Sequence, residues 1–171
     1  MAAKKYLSLV LGRFQEVIAT IVSAGAASDG ALVALNASGQ LDPSVMPPGI
    51  GANTVAAVAS EALAANDLVN VYDNAGTATV RKADATVVGK ECNGFVKAAF
   101  ANAANATVYT SGNVMTGLTG LTAGARQYLA TTAGARTATA PSASGNVVQK
   151  IGDAMSATSI AFEPEEPITL A

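Results

Sequence analysis

Glu163 to Pro167 reads EPEEP, the densest run of carboxylates in the chain. Calcium takes about six to eight oxygens converging from one tight loop. Two prolines inside the run splay the three carboxylates apart, so they make a solvated face and not a cage. Glycoside cleavage needs two carboxylates facing each other across a cleft. Glu61, Asp67, Asp73, Asp84, Glu91 and Asp153 are instead scattered, mostly beside turn residues. The glycine-rich run GLTGLTAG (117–124) invites comparison with a phosphate loop. A Walker loop ends in Gly-Lys-Ser/Thr, so that an ammonium and a hydroxyl reach phosphate and magnesium. Here Ala125 and Arg126 stand in those places, and the run is a series of turns. GIGA at 49–52 lacks both a third glycine and a following helix.

Histidine is absent, which removes Ser-His-Asp and Cys-His catalysis and every imidazole metal ligand. Cys92 is the only cysteine, so no internal disulfide and no cysteine cluster can form. Its flanks, KECNGF, suit a structural thiol. Asn36-Ala-Ser and Asn105-Ala-Thr match the glycosylation pattern, but Asn and small hydroxyl residues are so common here that no function is assigned to them. These readings predict no catalytic residues, no metal site and no cofactor: a chain that is not an enzyme.

The elements that would hold any site are short and β-like. From residue 68 onward, LVNVY, then the turn DNAG, then TATVR give a hairpin signal. TVVGK, NGFVKAAF, ATVYTSG, NVMTG, RQYLATTAG, NVVQKIGDAM and SIAFE continue in that style, with glycines between and within them. Short strands at regular spacing predict a small barrel or sandwich. The tail FEPEEPITLA reads as an exposed end or as an arm on a neighbour.

The N-terminal half-century differs. Phe14, Val17, Ile18, Ile21 and Val22 fit helical spacing, yet the segment is rich in β-branched residues. Gly12-Arg13 between YLSLVL and FQEVIATIV suits a type II′ hairpin turn. Two strands or an extended arm are the favoured expectation over residues 5–23. The order of two lysines, an apolar run and SAGA superficially matches an export signal, but Arg13 and Glu16 interrupt it, and it is read as a structural segment. ALVALNASGQLDPSV begins like a hairpin around NASG. Pro47 and Pro48 then remove two backbone donors, and Gly49 releases the chain. Pro43, Pro47, Pro48 and Gly49 are therefore expected to form a linker. NTVAAVASEALAAND beyond it suits a short helix or an extended lead-in.

The chain has 171 residues, of which 38 are alanine and none is tryptophan. Small side chains bury little area, so the core is modest and assembly with further copies is expected to add stability. Net charge is −2 with no basic patch, which excludes the usual electrostatic footprint for nucleic acid. No run approaches the ~18 apolar residues of a membrane span.

The segment SAGAASDGALVALNASGQLDPSVMP, with its upstream flank, resembles the N-terminal part of tailed-bacteriophage head-fibre or capsid decoration (cement) proteins. The stretch GLTGLTAGARQYLATTAGARTATAPSASGNVVQKIGDAMSATSIAFEP is similar to the β-structured outer domain of phage head and tail fibres. The resemblance implies a homotrimer, an N-terminal part fixed to the major capsid protein on the outer capsid surface, and an outward β-domain. Residues 1–45 are then expected to be the anchoring arm, 46–59 the linker, 60–163 the outer domain and 164–171 an exposed tail. Leu7, Leu9, Val17, Ile18, Ile21, Leu32, Leu35 and Leu41 are candidates for anchoring or intersubunit contact, or for ordinary local core. The alternative is a tail fibre or receptor-binding appendage touching host surface glycans, for which Tyr72, Tyr109 and Tyr128 are the available aromatics.

Overall fold

The computed structural model describes residues 4–37, 39–46 and 52–171. The chain is mainly β and divides into two units, 1–51 and 52–171. Pro47, Pro48 and Gly49 lie outside the described residues.

In the first unit, β1 (Lys5–Val10) and β2 (Arg13–Ile18) form an antiparallel hairpin, the strand alternative for this segment. The turn sits one residue earlier than glycine placement suggested. Leu11 (φ +51°) and Gly12 (φ +77°) are its two central residues. Positive φ at both makes it a type I′ turn, whose twist matches that of the strands. Thr20 then bridges Val33 in parallel, and two 3-10 turns follow, Gly25–Ser28 and Pro43–Val45. NASG does turn the chain: the Asn36 amide donates to Gln40 O at 2.8 Å and the Gln40 amide to Asn36 Oδ1 at 3.0 Å. Among the described residues its flanks form no ladder, so the stretch opens like a hairpin without closing as one. Ser44 donates twice to Asp42 Oδ1, at 2.6 Å from its hydroxyl and 3.0 Å from its amide. Those bonds, the hydroxyl's first, hold the Asp42 carboxyl below the usual carboxylate range.

The second unit begins with a strand, not a linker. β3 (Thr54–Ala59) runs parallel to β5 (Thr77–Lys82) and antiparallel to β7 (Asn105–Tyr109). β4 (Leu68–Asn74) and β6 (Gly94–Val96) complete a closed barrel in the order β3-β5-β4-β6-β7. The expected 46–59 linker therefore overlaps β3 at 54–59, and the second unit starts at 52. A five-stranded barrel is narrower than the eight-stranded kind whose interior just holds ordinary side chains. Small residues are needed inside it. Ala57, Ala59 and Ala106 supply them, packed with Val69, Val80, Val96 and Val108. Part of the alanine excess is thus a packing requirement of the barrel.

A second sheet has the order β10-β9-β12-β13-β8, formed by β8 (Asn113–Met115), β9 (Arg126–Leu129), β10 (Arg136–Thr137), β12 (Lys150–Ser156) and β13 (Ser159–Phe162). Leu68 and Phe95 of the barrel pack with Met115, Leu129, Ile151, Ile160 and Phe162 of this sheet in one core cluster. The Phe95 and Phe162 rings meet edge-on at 5.0 Å between centroids. The tail is not free. β14 (Ile168–Thr169) pairs with β11 (Val147–Val148), and the Leu170 amide donates to Asn146 O at 2.9 Å. Side chains 165–169 are exposed, Phe162 is buried in the core, and the tail's backbone is strapped to its own unit.

Cys92 belongs to the same core, and burial pushes its thiol up to about 12. The thiolate is the reactive form. Native protein at pH 8 should therefore leave Cys92 unlabelled by iodoacetamide over hours, whereas denatured protein should label within minutes; mass spectrometry reads both. Because the folded pKa is raised, this thiol's contribution to stability is complete below the ordinary cysteine value of 9.0. It declines as pH rises from there toward 12.

An exposed apolar arm and two polar clefts

The hairpin register sorts its side chains onto two faces. Leu9 lies opposite Phe14, Lys5 opposite Ile18 and Leu7 opposite Glu16, so these six share one face. Leu7 is 73% exposed, Leu9 63% and Phe14 79%. Leu11, at the hairpin tip, is 97% exposed while held at positive φ, where a leucine costs about 1–2 kcal/mol. The face carries one cation and one anion, and they satisfy each other: Lys5 Nζ lies 2.7 Å from Glu16 Oε2.

Among the sequence-derived contact residues, Leu7, Leu9 and Ile18 share this face. Val17 points to the other side and is half-buried. Ile21, Leu32, Leu35 and Leu41 lie on the segments after the hairpin and are exposed. Among the described hydrophobic residues of this unit, only Ala34 is buried. Seven of the eight candidates are thus exposed in the single chain, and Val17 is half-buried. Sequence reasoning left out Leu11 and Phe14 as contacts. Alternation outward from a turn at Leu11-Gly12 carries that signal, whereas a turn at Gly12-Arg13 hides it.

Two clefts of about 470 Å³ each open on the second unit. One is lined by Asn53, Asn70, Cys92, Asn93, Gln149 and the segment 164–167. Its amides are employed within the fold. Gln149 accepts from the Cys92 amide at 2.7 Å and donates to Cys92 O at 2.9 Å. Asn93 bridges both backbone groups of Val71. Asn70 donates to Glu91 O at 2.7 Å. Glu165 of EPEEP pairs with Lys150 at 2.9 Å, and among the described residues no group of three potential metal-ligating side chains converges.

The other cleft lies between the loop before β4 (Asn66, Asp67), the glycine-rich loop (Thr119–Thr122) and β10 (Arg136, Thr137). The glycine-rich loop is a strap: the Leu118 amide donates to Thr158 O and that of Leu121 to Ala157 O, with Leu118 buried. Asp67 is paired with Lys82 at 3.3 Å. The expected glycan-facing aromatics are largely committed elsewhere. Tyr109 stacks on Phe95 and lies under Lys97, and Tyr72 lies under the Arg81 guanidinium at 4.4 Å. Tyr128, in β9, is half-buried. No family model, curated protein or solved structure matches the chain.

Proposed function

We propose that the chain is a virion structural protein of a tailed bacteriophage, held on the outer capsid surface as a trimeric decoration or head-fibre protein. The supporting observation is the contrast between the two units. Residues 52–171 carry two apolar clusters of their own. The first unit exposes Leu7, Leu9, Leu11, Phe14 and Ile18 and buries almost nothing apolar among its described residues. A unit of this size without a core depends on a partner surface for its order. Large exposed apolar patches mark interaction sites.

In this reading the arm contacts both sister copies and the major capsid protein, and the barrel unit projects outward. Covering the hairpin face strands no charge, because Lys5 and Glu16 already neutralise each other. Repeated copies turn modest individual contacts into firm attachment. The test is co-sedimentation with capsids of the parent phage. The full chain should pellet with them, and a chain lacking residues 1–45 should stay in the supernatant while keeping its barrel fold by circular dichroism. Pelleting of the truncated chain would place attachment elsewhere and overturn the reading.

A further inference from the structure

We propose that the cleft headed by Arg136 is a binding site for a carboxylate-bearing sugar. This goes beyond attachment and is independent of what the N-terminal unit grips.

The starting observation is an arginine with nothing to do. Arg136 is half-buried in β10 at the wall of the cleft. Among the described residues no carboxylate lies within ion-pair reach of it and no acceptor takes its N–H groups. Arg81, in the same unit, shows how a structural arginine is used. Its Nε donates to Asn70 Oδ1 at 3.0 Å, its Nη2 to Gly89 O at 2.6 Å, and it covers the Tyr72 ring. Its unbonded nitrogens keep contact with solvent, so all five donors are open to a ligand entering the cleft. Partial burial lowers the Arg136 pKa by desolvating its charge. Asp67, an acid that also lines the cleft, is already taken by Lys82 and by the Ala64 amide at 2.8 Å.

The walls are fixed before any ligand arrives. The Gly134 amide donates to Ala83 O and Gly134 O accepts from the Leu68 amide, both at 2.8 Å, which clamps the turn before β10 to the barrel. Gly134 is at φ +79°, and a Cβ there would meet the Asp67 carboxylate at 3.0 Å. The strap 117–124 fixes the facing wall. A planar guanidinium selects a carboxylate through two parallel hydrogen bonds. The remaining lining sets Asn66, Thr119, Thr122 and Thr137 beside Leu121 and several alanines, a mixture of hydrogen-bonding and small apolar surface that suits the hydroxyls and the C–H face of a sugar ring. The volume lies in the range of small-molecule sites. A uronic acid unit within a mono- or disaccharide fits both the charge and the lining.

The test is amide-resolved NMR on the full chain, titrated with digalacturonate, with neutral digalactose and with a tri-glutamate peptide. Digalacturonate should shift the amides of Thr119–Thr122, Arg136 and Thr137. Neutral sugar should bind at least tenfold more weakly. Arg136→Gln should weaken digalacturonate binding at least tenfold with an unchanged melting temperature, and Arg136→Lys should fall between. No shift with digalacturonate, equal binding of digalactose, or undiminished binding by Arg136→Gln would each overturn the site. Tighter binding of the peptide would overturn the sugar as its ligand.

Discussion

Gly152→Ala should be the most damaging single-methyl change in the barrel unit, lowering stability by about 4 kcal/mol or more. Gly152 sits inside β12, paired with Phe162 on one side and Gln127 on the other, where the register slips by one residue against β9. Its φ is +147°. A Cβ at this position would collide with the carbonyl oxygen of Ala161 and press on Ile160 Cγ2. The carbonyl belongs to the partner strand, so it cannot yield without opening the β12–β13 ladder that carries Ile151, Ile160 and Phe162 into the core. Gly120→Ala is the matched control. It has φ +72° and open space around it, so only the backbone term of about 1 kcal/mol applies. Urea unfolding followed by circular dichroism should show Gly152→Ala with a midpoint far below that of Gly120→Ala. Equal midpoints would show that the β13 backbone yields freely.

Gly152 also marks the limit of what the sequence reveals. Glycines read along the chain all look like punctuation. Gly76 and Gly112 do occupy left-handed turn positions, but Gly94 and Gly152 lie within strands because other chain segments press on them. That pressure comes from Val108 and Ala161, residues far from them or on a different strand. The β4–β5 hairpin was legible because its signal is local: DNAG, with Ala75 and Gly76 both at positive φ. β3 was not, because TVAAVA satisfies a helix or a strand equally well. Only barrel closure, through pairing with β5 and β7, decides for the strand.

The same logic governs the sites. Arg126 and Arg136 end identical TAGAR pentapeptides, yet one is exposed and the other lines a cleft. The difference lies in what each strand pairs with, and no local pattern encodes it. The hairpin's apolar residues were visible as types, but their common face appears only once the turn is fixed at Leu11-Gly12, because a one-residue slip exchanges the faces of a strand.

If the chain assembles and attaches as proposed, joint replacement of Leu9 and Phe14 by aspartate should convert a trimer to a monomer and abolish capsid attachment, with the barrel unit unaltered. The two residues lie opposite each other across the hairpin, so the change places two charges at the centre of the apolar face. Each large side chain withdrawn from an interface forfeits roughly 1.5–3 kcal/mol of burial, and a trimer would also have to desolvate six new carboxylates around its seam. Since every 1.4 kcal/mol is about a factor of ten in affinity, association should weaken by more than 100-fold. Both positions are exposed in the single chain, so the substitution removes none of its described core contacts. Thermal unfolding of the barrel unit should then stay within about 2 °C of the parent. Light scattering should show the mass falling threefold, and co-sedimentation with capsids should fail. A double variant that still assembles would show that the exposed face is not the seam. A double variant that dissociates yet still binds capsids would assign shell contact to Leu32, Leu35 and Leu41 and leave self-association to the hairpin. Cys92 is buried with its thiol pKa raised, so Leu9→Cys supplies an independent check in a background expected to stay silent. Copies packed face to face should cross-link through that thiol under mild oxidation, whereas a chain whose arms meet only the shell should not.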